Sequence, residues 1–323
     1  MAESFIFSLN STVPIFLTMI IGYVLKQIGF LSDEFIKGAN KYVFKVALPV
    51  MLFIDISSAD LISDFNIKFV LYCMIVTCIL FAVSWLIAEL FCKDKKQIGA
   101  LVQGCFRGSA AVLGLAFIQN MYSTTGMAPL MIASAVPLYN IFSVIVLTFK
   151  ASKEYGGDDI SGLKFKEQMK KALINIAKNP IIIGIFLGIP FSLLRVDFPV
   201  IVDRTLDYFG RTSTPIALLC IGAGFEGRKA IKKIAPTLWA TFYKLFLQAG
   251  LFLPLAVAMG FRNQNLVAIL IMLASPSTAS GYIMAKNMGN DSVLSSSIIV
   301  LTTLLSSVSL TLLIFILRAM ALI

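Results

Sequence analysis

The chain of 323 residues contains no histidine. That removes imidazole acid–base chemistry, Ser-His triads and every metal site built on imidazole. Charge is scarce as well: Asp, Glu, Lys and Arg make up 14% of the residues, against about a quarter in soluble domains. The five cysteines (Cys73, Cys78, Cys92, Cys105, Cys220) are odd in number and lack CxxC pairing. They therefore read as buried hydrophobes, with no disulfide framework and no metal site. The net charge of +10 is scattered over short loops, which leaves no basic face for nucleic acid. No basic region precedes the first apolar run, so that run is not read as a cleaved signal peptide. What is abundant is apolar: 58% of the residues are hydrophobic. The expectation is a single all-α integral membrane domain with the lipid bilayer as its solvent and no cofactor.

A bilayer core needs roughly 20 apolar residues per helix. Ten such stretches are expected, near residues 5–27, 38–56, 67–91, 98–121, 127–149, 174–194, 199–225, 235–260, 265–286 and 292–317. Of the 27 Lys and Arg residues, 19 fall in the odd-numbered loops and 5 in the even loops and the C-terminus. The positive-inside rule then puts the odd loops in the cytoplasm and both termini outside, in a multi-pass protein of the plasma (inner) membrane. The break at 150–173 reads as a cytoplasmic connector, part of it basic and amphipathic.

Around that connector the chain repeats itself. A shift of 166 residues lays Pro14 on Pro180, Gly22 on Gly188 and Pro49 on Pro215. A shift of 167 lays Gly114, Asn120 and Met121 on Gly281, Asn287 and Met288. The expected domains are thus a first repeat at 1–149, the connector and a second repeat at 174–323. Five spans per repeat is an odd number, so the halves have inverted topology, a pattern of secondary transporters with a midplane site between the repeats.

Chemistry is expected where spans four and nine are interrupted. The run from Gly108 through Ser109 and Ala110 to Gly114 suits a broken helix, or close helix packing through small residues. Its repeat partner Ser275, Pro276, Ser277, Thr278 holds a proline that cannot donate and hydroxyls that satisfy freed carbonyls. Half-helix N-termini meeting there would attract a carboxylate. Arg107 beside the first break reads as a carboxylate clamp, or else as part of a structural ion pair or a snorkelling side chain. Asn140, next to Tyr139 in the fifth span, reads as a substrate contact or an interhelical hydrogen bond. Lys244 and Glu89 are the candidates for coupling. Pro49 and Pro215, with Val46, Val50, Ser213 and Thr214, are expected to form a scaffold wall. Asp207 and Arg211, one helical turn apart, are expected to pair. The hydroxyl-rich face of the tenth span reads as packing glue.

These landmarks in order, from Ala47-Leu48-Pro49 through Phe106-Arg107-Gly108-Ser109, Tyr139-Asn140, Asn179-Pro180 and Ser275-Pro276 to Gly289-Asn290-Asp291, resemble the auxin efflux carrier family, within the bile-acid/auxin-type superfamily, and its bacterial members in particular. The resemblance covers essentially the whole chain, and Ser109 stands where bacterial relatives often carry Asn. It implies a scaffold of spans 1, 2, 6 and 7, a transport unit of spans 3–5 and 8–10, elevator-type alternating access, and small organic anions such as malate, malonate or auxin-like carboxylates as substrates. It leaves open a homodimer through the scaffold. Sodium coupling in the related bile-acid symporter fold uses a carboxylate in the ninth span, and this chain has none between Ala268 and Ala285. Anion efflux driven by membrane potential is therefore preferred, with a proton- or sodium-coupled symporter as the alternative. An intramembrane enzyme using Ser109 and Lys244 is a remote rival, because it needs the two side chains within hydrogen-bond reach.

Overall fold

The computed structural model describes residues 2–58, 66–110, 118, 121–122, 127–157, 165–194, 196, 198–225 and 227–323. Among them every regular element is helical. The α-helices are α1 (Ala2–Gln27), α2 (Asp33–Tyr42), α3 (Leu48–Ser57), α4 (Ile67–Phe91), α5 (Ile98–Phe106), α6 (Ala128–Phe149), α7 (Phe165–Ala177) and α8 (Pro180–Leu194). They continue as α9 (Val200–Arg211), α10 (Ser213–Ala223), α11 (Gly227–Lys232), α12 (Ile234–Phe242), α13 (Gln248–Ala258), α14 (Asn263–Ala274), α15 (Ala279–Asn287) and α16 (Ser292–Ala319). Two π-helical turns, Val43–Ala47 and Tyr243–Leu247, join α2 to α3 and α12 to α13.

Five helical stretches are long and apolar enough to cross a bilayer, and a sixth qualifies if the pair α7–α8, bent by 60°, is one span. Their burial separates a periphery from a centre. In α4 only 33% of the most apolar window is buried, while across α14 and α15 the share is 89%. The outer faces carry Leu71, Ile75, Leu86 and Leu90 on α4 and Leu304, Val308 and Leu312 on α16, all exposed, as apolar side chains are when lipid is the solvent. The molecule is thus an integral membrane protein built around a broken central helix.

Local sequence explains where elements bend. Ser32 caps α2 through Phe35 N–H at 3.1 Å, so this helix starts before the apolar stretch expected at 38–56. The π turn at Val43–Ala47 comes just ahead of Pro49, whose ring and missing N–H disturb a regular ladder. The stretch expected as one span at 174–194 bends at Lys178–Asn179. There Pro180 occupies the first helical position and Asn179 Oδ1 accepts from Ile181 N–H at 3.0 Å.

α1 lies along α10, and α3 along α8. Both pairs rely on a glycine. A Cβ at Gly22 would fall 2.4 Å from the Leu219 carbonyl oxygen, and one at Gly188 would fall 2.9 Å from that of Phe53. Gly188 lies 166 residues after Gly22, and Leu219 lies 166 after Phe53, so the offset that matches the prolines also matches these two contacts. The second group comprises α4 against α6 and α5, α13 against α14, and α16 against α12 and α15. α1 touches α16, and α10 touches α15.

Candidate functional site

α5 stops at Phe106, and Arg107, Gly108 and Ser109 are non-helical before Ala110. α14 stops at Ala274, and residues 275–278 are non-helical before α15. The breaks are joined by Ser109 N–H donating to the Pro276 carbonyl at 2.8 Å. Ser277 Oγ donates to the Gly104 carbonyl at 2.7 Å, and Ser277 N–H to Thr302 Oγ1 at 3.1 Å. A Cβ at Gly108 would meet Ser275 Oγ at 2.4 Å and Lys244 Nζ at 2.9 Å, so only glycine lets the breaks approach this closely.

A cavity of about 80 Å³ opens beside this crossover, with room for several waters or part of a compact ligand. One side is formed by Arg107, Ser109, Pro276, Ser277, Thr278 and Ser280, with Tyr139 and Asn140 from α6. The other is formed by Leu48, Met51, Leu52 and Asp55 of α3 and by Ser213, Thr214, Ala217 and Leu218 of α10.

Arg107 is 5% exposed. Its guanidinium donates to Ser280 Oγ at 2.6 Å, Ser143 Oγ at 3.3 Å and the Met284 sulfur at 2.9 Å. All three partners are neutral, and Arg107 has no ion pair among the described residues. Among the described residues the structural ion pair is not formed. Asn140 donates through Nδ2 to the Val136 carbonyl at 2.9 Å, while its buried Oδ1 has no partner. Thr278, the residue before α15, makes no side-chain cap. The first N–H groups of α15 thus sit at the cavity with the positive end of the helix dipole.

Lys244 is fully buried and serves the other face of the crossover. It donates to the Leu273 carbonyl at 3.0 Å, the Met272 carbonyl at 3.4 Å and Gln248 Oε1 at 3.2 Å. Tyr139 O–H also reaches Met272, at 3.0 Å, and Gln248 Nε2 reaches the Cys105 carbonyl at 2.7 Å. Ser109 is not among the partners of Lys244, so the geometry that Ser/Lys catalysis needs is not formed. Glu89 is engaged elsewhere, ion-paired with Lys150 and accepting from Trp85 Nε1 at 2.9 Å.

Nine residues expected at the site do line the cavity: Arg107, Ser109, Tyr139, Asn140, Pro276, Ser277, Thr278, Ser213 and Thr214. Ala110 and Ser275 are buried just behind it, and Gly114 lies outside the described residues. The α3 wall differs from the expected one. Leu48, Met51, Leu52 and Asp55 recur at helical spacing and form its face, which leaves Val46, Pro49 and Val50 off the cavity. Pro215 turns outward. Asp55 and Ser280 were missed. The spacing of Asp55 from Leu48 and Leu52 was the available signal for the first, and its position in the first turn of α15 for the second.

One cavity of the helical bundle thus brings together the buried Arg107, the Asp55 carboxylate, several hydroxyls and the N-terminus of α15. The membrane transport protein family matches residues 7–314 of this chain. The chain belongs to that family. It is therefore a transporter and not an enzyme. Among its relatives, the Escherichia coli K12 protein named "Uncharacterized transporter YfdV" is 25% identical over 285 residues, covering 87% of this chain and 88% of that one. An "Uncharacterized transporter" of Methanothermobacter thermautotrophicus is 23% identical over 308 residues, covering 95% and 97%. A Rhizobium meliloti protein named "Putative malonate transporter" is 26% identical over 315 residues, covering 96% and 95%.

Proposed function

We propose that this family member carries small organic anions, carboxylates of the size of malonate or malate, across the cytoplasmic membrane by alternating access. The observation that carries the reading is Arg107, a buried guanidinium at a helix break whose described partners are all neutral. A buried charge without a counter-charge is costly, and a substrate carboxylate would supply one through charge-assisted hydrogen bonds. The free Oδ1 of Asn140 and the N-terminus of α15 complete a site that reads one anionic group and one donor. The name of the Rhizobium relative points to the same substrate class.

The architecture we propose is ten spans in two inverted halves. The repeated glycine contacts of α1 with α10 and α3 with α8 support it, as does the bond between Ser109 and Pro276, which lie 167 residues apart. In the elevator version, α1, α3, α8 and α10 stay as scaffold while the crossover and its neighbours move. The odd loops face the cytoplasm and the termini face outward.

Charge movement in proteoliposomes, recorded on a solid-supported membrane with malonate, malate and indole-acetate in turn, tests the reading. The expected result is a carboxylate-evoked current. Arg107→Ala should weaken the response to its carboxylate by about 10- to 100-fold, the equivalent of one charge-assisted contact, and Asn140→Ala by about tenfold or less. A response to cations or neutral solutes alone would overturn the substrate class.

A further inference from the structure

Asp55 is the cavity residue that anion carriage leaves unused. It sits on α3, half-buried, in the same cavity as Arg107. Among the described residues it has no hydrogen bond and no ion pair. Among the described residues Arg107 is the one cation that shares its cavity, and the two are not bonded. α8, packed along α3, has no titratable side chain from Pro180 to Leu194. α9, also packed on α3, carries exposed Asp203 and Arg204, and its Arg211 is bonded to Asp207 at 2.7 Å. Lys45, in the π turn before α3, is exposed at the other end of that helix. Across the cavity Arg107 is turned to Ser143, Ser280 and Met284, and Tyr139 donates to Met272. Lys244 lies behind the crossover on carbonyl oxygens and does not line the cavity.

A substrate carboxylate at Arg107 would thus share a cavity of about 80 Å³ with a second carboxylate that has no bonded cation among the described residues. Two carboxylates in one site do not both stay ionised; one of them keeps a proton. The substrate would have the guanidinium, the hydroxyls and the α15 N-terminus to stabilise its charge, and Asp55 has none of these. We infer that Asp55 is a proton-coupling residue, taking up one proton when an organic anion enters the cavity and releasing it when the anion leaves. The proton passes from a hydronium ion, whose O–H bond breaks to leave water, to an Asp55 carboxylate oxygen, where a new O–H bond forms. The inference rests on the anion reading above, and it replaces a purely potential-driven carrier with one that moves an anion and a proton together.

Calorimetric titration of the full chain, in detergent with added lipid, against malonate and malate in buffers of different ionisation heat counts the protons taken up. The wild type should take up about one proton per anion, and its affinity should fall by as much as tenfold per pH unit as pH rises through the titration of Asp55. Asp55→Asn, which imitates the protonated acid, should bind with no proton uptake and with an affinity that pH does not change. Malonate that protonated itself would still take up a proton in Asp55→Asn, and that result overturns the inference. Binding by the wild type without uptake overturns it too, while leaving anion carriage standing. If Asp55→Asn does not fold, Asp55→Glu must move the pH midpoint of the affinity, and an unmoved midpoint counts against Asp55. Absence of any carboxylate binding at any pH sinks the anion reading and this inference with it.

Discussion

The two helix breaks meet through the same backbone geometry and differ in how their carbonyl ends are satisfied. α5 ends in neutral hands: Gln248 donates to Cys105 O and Ser277 to Gly104 O, each at 2.7 Å. α14 ends on an ammonium, with Lys244 on Leu273 O and Met272 O and the Tyr139 hydroxyl added at Met272. A helix C-terminus carries partial negative charge, and two of them converge at the crossover among buried residues. A single cation at one end relieves both. The two deep cations of the sequence, Arg107 and Lys244, thus have different partners. Lys244 ties α14 at the crossover, whereas Arg107 reaches only neutral groups among the described residues, as the proposed ligand role requires.

The largest effect expected from this contrast is on folding stability. Lys244→Met leaves the α14 carbonyls without their charged donor and should cost about 3 kcal/mol, the scale of lost hydrogen bonds to a charged group. Gln248→Leu removes a neutral donor from α5 and should cost about 1 kcal/mol. Thermal unfolding of the solubilised variants should rank them in that order. Equal losses would mean that the breaks are held by packing and that the charge at α14 is incidental.

Much of this was legible in advance. Glycine and proline marked both breaks, and apolar length with Lys and Arg placement marked the helices, because backbone donors and lipid contact constrain those residue types strongly. The destination of a long polar side chain was not legible. Nothing local in the sequence tells that Lys244 turns to carbonyl oxygens 28 and 29 residues further on while Arg107 turns to the cavity. Asp55 escaped for a related reason. It sits near the end of its apolar stretch, where an acid normally meets water, and only the packing of α3 against α8 and α9 turns it to the cavity. The α3 wall was assigned to residues around Pro49, although a helical face is set by spacing and not by proximity to a kink.

A second test concerns how closely the breaks approach. Gly108→Ala places a methyl group 2.4 Å from Ser275 Oγ, and overpacking of this kind costs about 1–3 kcal/mol. Ser275 Oγ is buried and has no hydrogen-bond partner, so Ser275→Ala alone should change little. Combined with Gly108→Ala it should recover part of the loss, giving an interaction energy of at least about 0.5 kcal/mol in a double-mutant cycle. Additive effects would place the strain at Lys244, the other atom the new methyl meets.

The smallest effect marks the edge of the comparison. Arg211 and Asp207 form the expected one-turn pair on α9 at 2.7 Å, with the arginine side chain 78% exposed. Water screens this pair and holds the partner equally well after one side is neutralised, so Asp207→Asn should shift stability by no more than about 0.5 kcal/mol. Transport of any carboxylate should be unchanged, since neither residue reaches the cavity. The pair is the exposed control for Lys244 and Arg107: the same kind of cation with water in place of carbonyl ends or a cavity wall. A loss from Asp207→Asn as large as that from Lys244→Met would show that burial does not set the worth of a cation here, and the division between a holding lysine and a binding arginine would lose its physical basis.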